Sequence, residues 1–110
     1  MAASHLEVSN LTAIIDRNRI QNDDFVDSQM RIGDVASKFL SFGWDVINID
    51  GHDMKEIINS LLDAKNRMKP TAIVAATVKG KGVSFMENNP SFHGAAPNEN
   101  QYAEAMEELS

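Results

Sequence analysis

The chain has 110 residues, 43% of them apolar, no cysteine and a formal net charge of -6. That is room for one small α/β domain with its own core. Disulfides and thiolate metal sites are excluded, no apolar run is long enough to cross a bilayer, and the acidity argues against general affinity for nucleic acid or anionic membrane. No basic stretch followed by an apolar one opens the chain, so a cytoplasmic location is the default.

Met1 to Val8 reads as the end of a helix, because Ala2, Ala3 and Leu6 are good helix formers with no capping residue ahead of them. Ser9 and Asn10 break it. Leu11 to Ile15 is an apolar and β-branched run of the kind that forms a strand buried on both faces of a parallel sheet. It stops in a charged turn, Asp16 to Arg19, and Gln21 to Asp27 follows as a polar loop. From Ser28, the residues Ile32, Val35, Ala36, Phe39 and Leu40 recur at helical spacing, and Gly43 sits where a left-handed residue ends a helix. Trp44 to Asp50 is a second strand. Asp53 followed by Glu56 has the form of a helix start, and Met54, Ile57, Ile58, Leu61, Leu62 and Met68 make one apolar stripe. Pro70 stops that helix, and Thr71 to Val78 is a third buried strand.

Three strands alternating with two helices on short connections predict a parallel βαβαβ sheet with right-handed crossovers, over a core of residues 9–78. Residues 79–98 read as a loop that opens with a mobile cationic stretch, Lys79-Gly80-Lys81-Gly82, and continues irregularly through His93, a length that marks a functional or a disordered segment. A terminal helix occupies residues 99–110, started by Asn98 and Gln101, with Tyr102, Ala105, Met106 and Leu109 on its apolar side. Glu99, Glu104, Glu107 and Glu108 form its solvated face.

Two clusters lie beyond strand ends, where ligands gather in open α/β sheets. Asn18 offers a side-chain oxygen and Ile20 a backbone carbonyl, donors suited to a hard cation; the alternative is a polar turn that satisfies its own backbone. After the third strand come glycines, through which a backbone can approach a phosphate closely, and lysines that supply charge. An ordinary exposed turn explains the same four letters equally well. His93 is able to donate to a phosphate oxygen or act as an acid, or to sit solvated, and His52 beside Asp53 reads as structural.

These stretches, LTAIIDRNRIQ, FGWDVINIDGHD and PTAIVAATVKGKGVSFMENNPSFHGAAPN, resemble the diphosphate-binding domain of transketolase, in particular the split form encoded as an amino-terminal subunit. The resemblance covers the whole of 1–110. It implies an α/β fold, and an activity that uses thiamine diphosphate and Mg²⁺ to move two-carbon ketol units between sugar phosphates. It implies Asn18 and Ile20 as metal ligands, Asn18, Ile20, Lys79 and His93 as cofactor-binding residues, and His93 as the catalytic one. The family also carries a Gly-Asp-Gly element about thirty residues ahead of the Asn, and a pyrimidine-binding domain whose glutamate activates the cofactor. Neither is among these residues, so the chain is expected to be the carboxyl-terminal part of the diphosphate domain. It would be inactive by itself and would work in a homo- or hetero-oligomer with the remaining parts. Local departures are Asn22-Asp23-Asp24, and Phe92 and Ala95 around His93-Gly94. Two other readings stay open: a thiamine diphosphate component of the deoxyxylulose phosphate synthase or 2-oxoacid dehydrogenase type, and a non-catalytic α/β assembly module.

Overall fold

Thr71, Ala72, Ile73, Val74 and Ala75 are buried without interruption, Ile73 at 1% exposure, as a continuous apolar run requires of a strand covered on both faces. In the computed structural model, which describes residues 1–110, this run is the central strand. The elements are α1 (Ala2–His5), β1 (Thr12–Arg17), β2 (Ile20–Gln21), β3 (Asp24–Phe25), α2 (Val26–Gln29), α3 (Val35–Ser41), β4 (Asp45–Asp50), α4 (Met54–Lys65), β5 (Thr71–Ala76), a 3₁₀ turn (Pro90–Phe92) and α5 (Glu99–Glu108). They fall into two compact units: Met1–Arg17 with Gly33–Thr77, and Asn18–Ile32 with Val78–Ser110.

The first unit holds the sheet. Both β1 and β4 pair in parallel with β5, giving the order β1-β5-β4, so the expected parallel βαβαβ arrangement is present. Ile14, Ile73 and Ile47 lie side by side, and Arg17, Ala76 and Asp50 end the three strands level with one another. The last strand in sequence takes the middle position, which is why it alone is buried from Thr71 to Ala75, with Ala76 exposed at its end.

Burial on both faces is not met at β1. Its exposure alternates along the strand, and Ile14 stays 62% exposed, because β1 is an edge strand and α4 packs on the opposite edge, β4. Asp16 and Arg17, expected in the turn, are strand residues because Ala75 and Ala76 give them ladder partners.

The helix expected from Ser28 begins later. Asp34 accepts the Ala36 and Ser37 amides and starts α3 at Val35, with Ile32 outside it. Gly43 takes the left-handed φ of +82° beyond its end. Phe39 and Trp44 stack edge-on at 5.1 Å. Asp53 caps α4 as expected by accepting from Lys55 and Glu56, but the Glu56 carboxylate accepts the Asp50 amide at 2.7 Å and ties the helix start to the end of β4. The apolar stripe expected on α4 is barely used: Met54, Ile58, Leu61 and Leu62 are exposed, as is Met68 beyond the helix end, and only Ile57 is half-buried, while Ser60 and Ala64 are buried, small side chains that let the helix lie close to the sheet. Gly51 donates its amide to the Ala76 carbonyl at 2.7 Å, and a Cβ there would meet the Thr77 methyl at 2.4 Å. The Thr77 hydroxyl in turn donates to Asp16.

The core is therefore asymmetric. Ile73→Ala should cost roughly 2–5 kcal/mol, whereas Ile14→Ala should stay within about 0.5 kcal/mol; urea unfolding of the two variants, followed by far-UV circular dichroism, checks the contrast.

Candidate functional site

The residues singled out by sequence, Asn18, Ile20, Lys79 and His93, all belong to the second unit. Its first stretch is a small hairpin where a loop was expected: Ile20 faces Phe25 and Gln21 faces Asp24 in antiparallel register. Asn22 and Asp23 form the two-residue turn, with Asn22 at φ +52°, a conformation such turns favour and Asn tolerates. The Val26 amide donates to the Arg19 carbonyl at 2.9 Å, a further rung of the same pairing. Facing pairs in an antiparallel ladder alternate between bonded and non-bonded. Ile20 and Phe25 form the non-bonded pair, so the amide and carbonyl of Ile20 both point away from β3. That amide donates to Asn18 Oδ1 at 2.9 Å. The side-chain oxygen of Asn18 and the carbonyl of Ile20 therefore lie along one edge of β2.

The second stretch begins with Lys79-Gly80-Lys81-Gly82, which is tied rather than loose. Glu87 accepts the Gly82 amide at 3.1 Å and pairs with Lys81 at 3.4 Å, and the Asn88 amide closes back on the Lys79 carbonyl at 3.0 Å. Gly80 has φ +76°, and a Cβ on it would stand 2.6 Å from the Met86 carbonyl oxygen, so no other residue fits. Lys81 is engaged by Glu87, and Lys79 is half-buried. Farther along, the Asn89 side chain accepts the Ser91 amide and donates to the Phe85 carbonyl, both at 3.1 Å. Phe85 and Phe92 meet at 5.5 Å. His93 ends this 3₁₀ turn with its side chain exposed. The expected cap of α5 is present in full, with Asn98 and Gln101 each bonding the other's backbone. The Ser84 amide and hydroxyl both donate to the Glu108 carboxylate at 2.5 Å, and these bonds, the hydroxyl's foremost, hold the Glu108 carboxyl below the usual glutamate range.

A cleft of about 550 Å³ is lined by Arg19, Phe25, Asp27 and Ser28 from the first stretch and Asn88 from the second. It brings together the immediate neighbours of the expected positions: Arg19 stands between Asn18 and Ile20, and Asn88 holds the Lys79 carbonyl. His93 is not among its lining residues. No three His, Asp or Glu side chains converge; Asn18 and Ile20 offer two neutral oxygens of the six that Mg²⁺ takes in an octahedral shell. Sequence reasoning missed Arg19, Glu87 and Asn88. Only Asn88 carried a local signal, as a residue type that accepts its left-handed φ of +53°.

The family model described as "Transketolase, thiamine diphosphate binding domain" matches residues 1–110. The chain is 38% identical over 112 residues to a Phocaeicola vulgatus protein named as one subunit of an apulose-4-phosphate transketolase, covering 100% of this chain and 40% of that one. With human transketolase it shares 34% identity over 107 residues, 97% of this chain and 17% of the human protein. Its structure superposes on the transketolase of Campylobacter jejuni with a TM-score of 0.89 at 32% identity, over 96% of this chain and 17% of that one.

Because the Glu108 carboxyl is lowered, its contribution to stability is present above the ordinary glutamate range and is lost as pH falls through the lowered value. Ser84→Ala should therefore lose most stability on the neutral side, where the carboxylate is ionised, and converge with wild type toward acid pH, flattening the acid limb of a stability-against-pH profile; thermal melts between pH 2.5 and 7 measure it.

Proposed function

We propose, since this chain belongs to the transketolase thiamine diphosphate-binding domain family, that it is the part of a transketolase-type enzyme that holds the metal and the diphosphate end of the cofactor. The reaction is the transfer of two-carbon ketol units between sugar phosphates, carried out with thiamine diphosphate and Mg²⁺ in an assembly with further protein. The observation that supports this reading best is the shared edge of β2, along which the Asn18 side-chain oxygen, held by the Ile20 amide, and the Ile20 carbonyl both lie.

In that role Asn18 and Ile20 supply two neutral oxygens to Mg²⁺, while Lys79 lies toward the diphosphate and offsets part of its charge. His93, exposed at the end of its turn, donates a hydrogen bond near the diphosphate and to the incoming sugar phosphate. Thiamine diphosphate itself supplies the nucleophilic carbon and the electron sink, so the protein's task is orientation and charge. Two neutral oxygens bring no negative charge to a dication, so these residues alone bind it loosely. A carboxylate-bearing segment and a pyrimidine-binding domain or subunit complete the assembly in this reading, and the isolated chain does not turn over substrate. The naming of the Phocaeicola vulgatus relative as one transketolase subunit fits a division of the enzyme between chains.

Asn18→Ala should weaken Mg²⁺-dependent thiamine diphosphate binding by the assembled enzyme roughly 10–100-fold, the scale on which outer partners of metal sites act. Calorimetric titration measures it, alongside ketol-transfer assays. Unchanged affinity and activity would instead favour the non-catalytic assembly module. In the same calorimeter the isolated chain should show no saturable micromolar binding.

A further inference from the structure

Four non-glycine residues have left-handed backbones: Glu7, Arg19, Asn22 and Asn88. Asn22 and Asn88 are of a type that accepts this region, whereas Arg19, at φ +64°, carries a long side chain that gains nothing from it. Three hydrogen-bonded neighbours hold Arg19 there. Its carbonyl accepts the Val26 amide at 2.9 Å, and its flanking residues are joined over it by the bond from the Ile20 amide to Asn18 Oδ1 at 2.9 Å. The left-handed residue lets the chain double back within three positions, so that the side-chain oxygen before it and the carbonyl after it come to one side. With Arg19 in the extended region Ile20 would move along the strand direction, and its amide would leave the Asn18 oxygen.

The geometry points to the backbone of Arg19, not its guanidinium, as a positioning device that sets Asn18 Oδ1 and the Ile20 carbonyl side by side for a divalent cation. This rests on the cation reading of these two oxygens given above. Arg19 touches neither cation nor substrate in this role and acts through its neighbours. Its side chain lies along the cleft with Phe25, Asp27, Ser28 and Asn88, and that placement is separable from what its backbone does.

Three substitutions divide backbone from side chain. Arg19→Gly adopts a positive φ freely, Arg19→Ala keeps a Cβ but removes the guanidinium, and Arg19→Val carries a β-branched side chain that resists the left-handed region. Two readouts are taken on the full chain by NMR. One is the hydrogen-exchange protection of the Ile20 amide without metal. The other is the broadening of the Asn18 side-chain and Ile20 resonances by Mn²⁺ added with inorganic pyrophosphate, which registers weak binding. Wild type, Arg19→Gly and Arg19→Ala are expected to agree within about threefold in protection. Each should broaden at the same two residues at the same Mn²⁺ concentration. Arg19→Val is expected to lose Ile20 protection at least about tenfold and to need at least about tenfold more Mn²⁺, a factor of ten in equilibrium constant being one decade of affinity, while amides of β5 keep their protection. Localised broadening in wild type that Arg19→Val leaves unchanged overturns the positioning role alone. So does Arg19→Ala failing as badly as Arg19→Val, which would assign the effect to the guanidinium. Wild type without localised broadening at Asn18 and Ile20 overturns the cation reading, and the positioning role with it.

Discussion

Parallel pairing on both sides of one strand sets the terms for the rest of the chain. β5 gives its backbone groups to β1 on one edge and to β4 on the other, and only a strand flanked in this way can bury five consecutive residues. The registers also bring Arg17, Ala76 and Asp50 to a common level. Each of these three strands is followed in sequence by a segment rich in polar groups: Asn18 after β1, Gly51 and His52 after β4, Lys79 after β5. The turn at Gly51 is drawn onto β5 by its bond to the Ala76 carbonyl, and the Asp16 carboxylate takes the Thr77 hydroxyl. The ends of the strands are thus fixed by hydrogen bonds that do not depend on any ligand.

Within the second unit, charge is managed locally. Glu87 holds Lys81 and the Gly82 amide, and Glu108 holds both donors of Ser84. Two acidic residues that composition alone would assign to a solvated surface are structural latches. Exposed ion pairs contribute little to stability, but a carboxylate that also receives a backbone amide fixes the path of the chain, which is what a loop with glycines at positions 80 and 82 lacks by itself.

Period and punctuation made the fold legible. Strand type, order of elements, the caps at Asp53 and Asn98 and the left-handed Gly43 could all be read, because each is set by residues near in sequence. What could not be read depends on neighbours far along the chain. The exposure of Ile14 follows from β1 being an edge, and the late start of α3 from Asp34 outcompeting an apolar spacing that already looked helical at Ile32. The exposed part of the α4 stripe follows from how closely Ser60 and Ala64 approach the sheet. At the candidate site, Asn18, Ile20, Lys79 and His93 were singled out by residue type and resemblance, but the placement of the first two along one edge of β2 was invisible. It arises from a short hairpin and from a left-handed arginine, neither of which has a composition signal.

The clasp between Ser84 and Glu108 closes a loop of 24 residues that contains His93. The entropy of closing such a ring grows only with the logarithm of its length, so residues can be added or lost along its outer course at small thermodynamic expense. The ends are the sensitive points. The strap can therefore vary in length and sequence through its middle while its two hinges keep it shut.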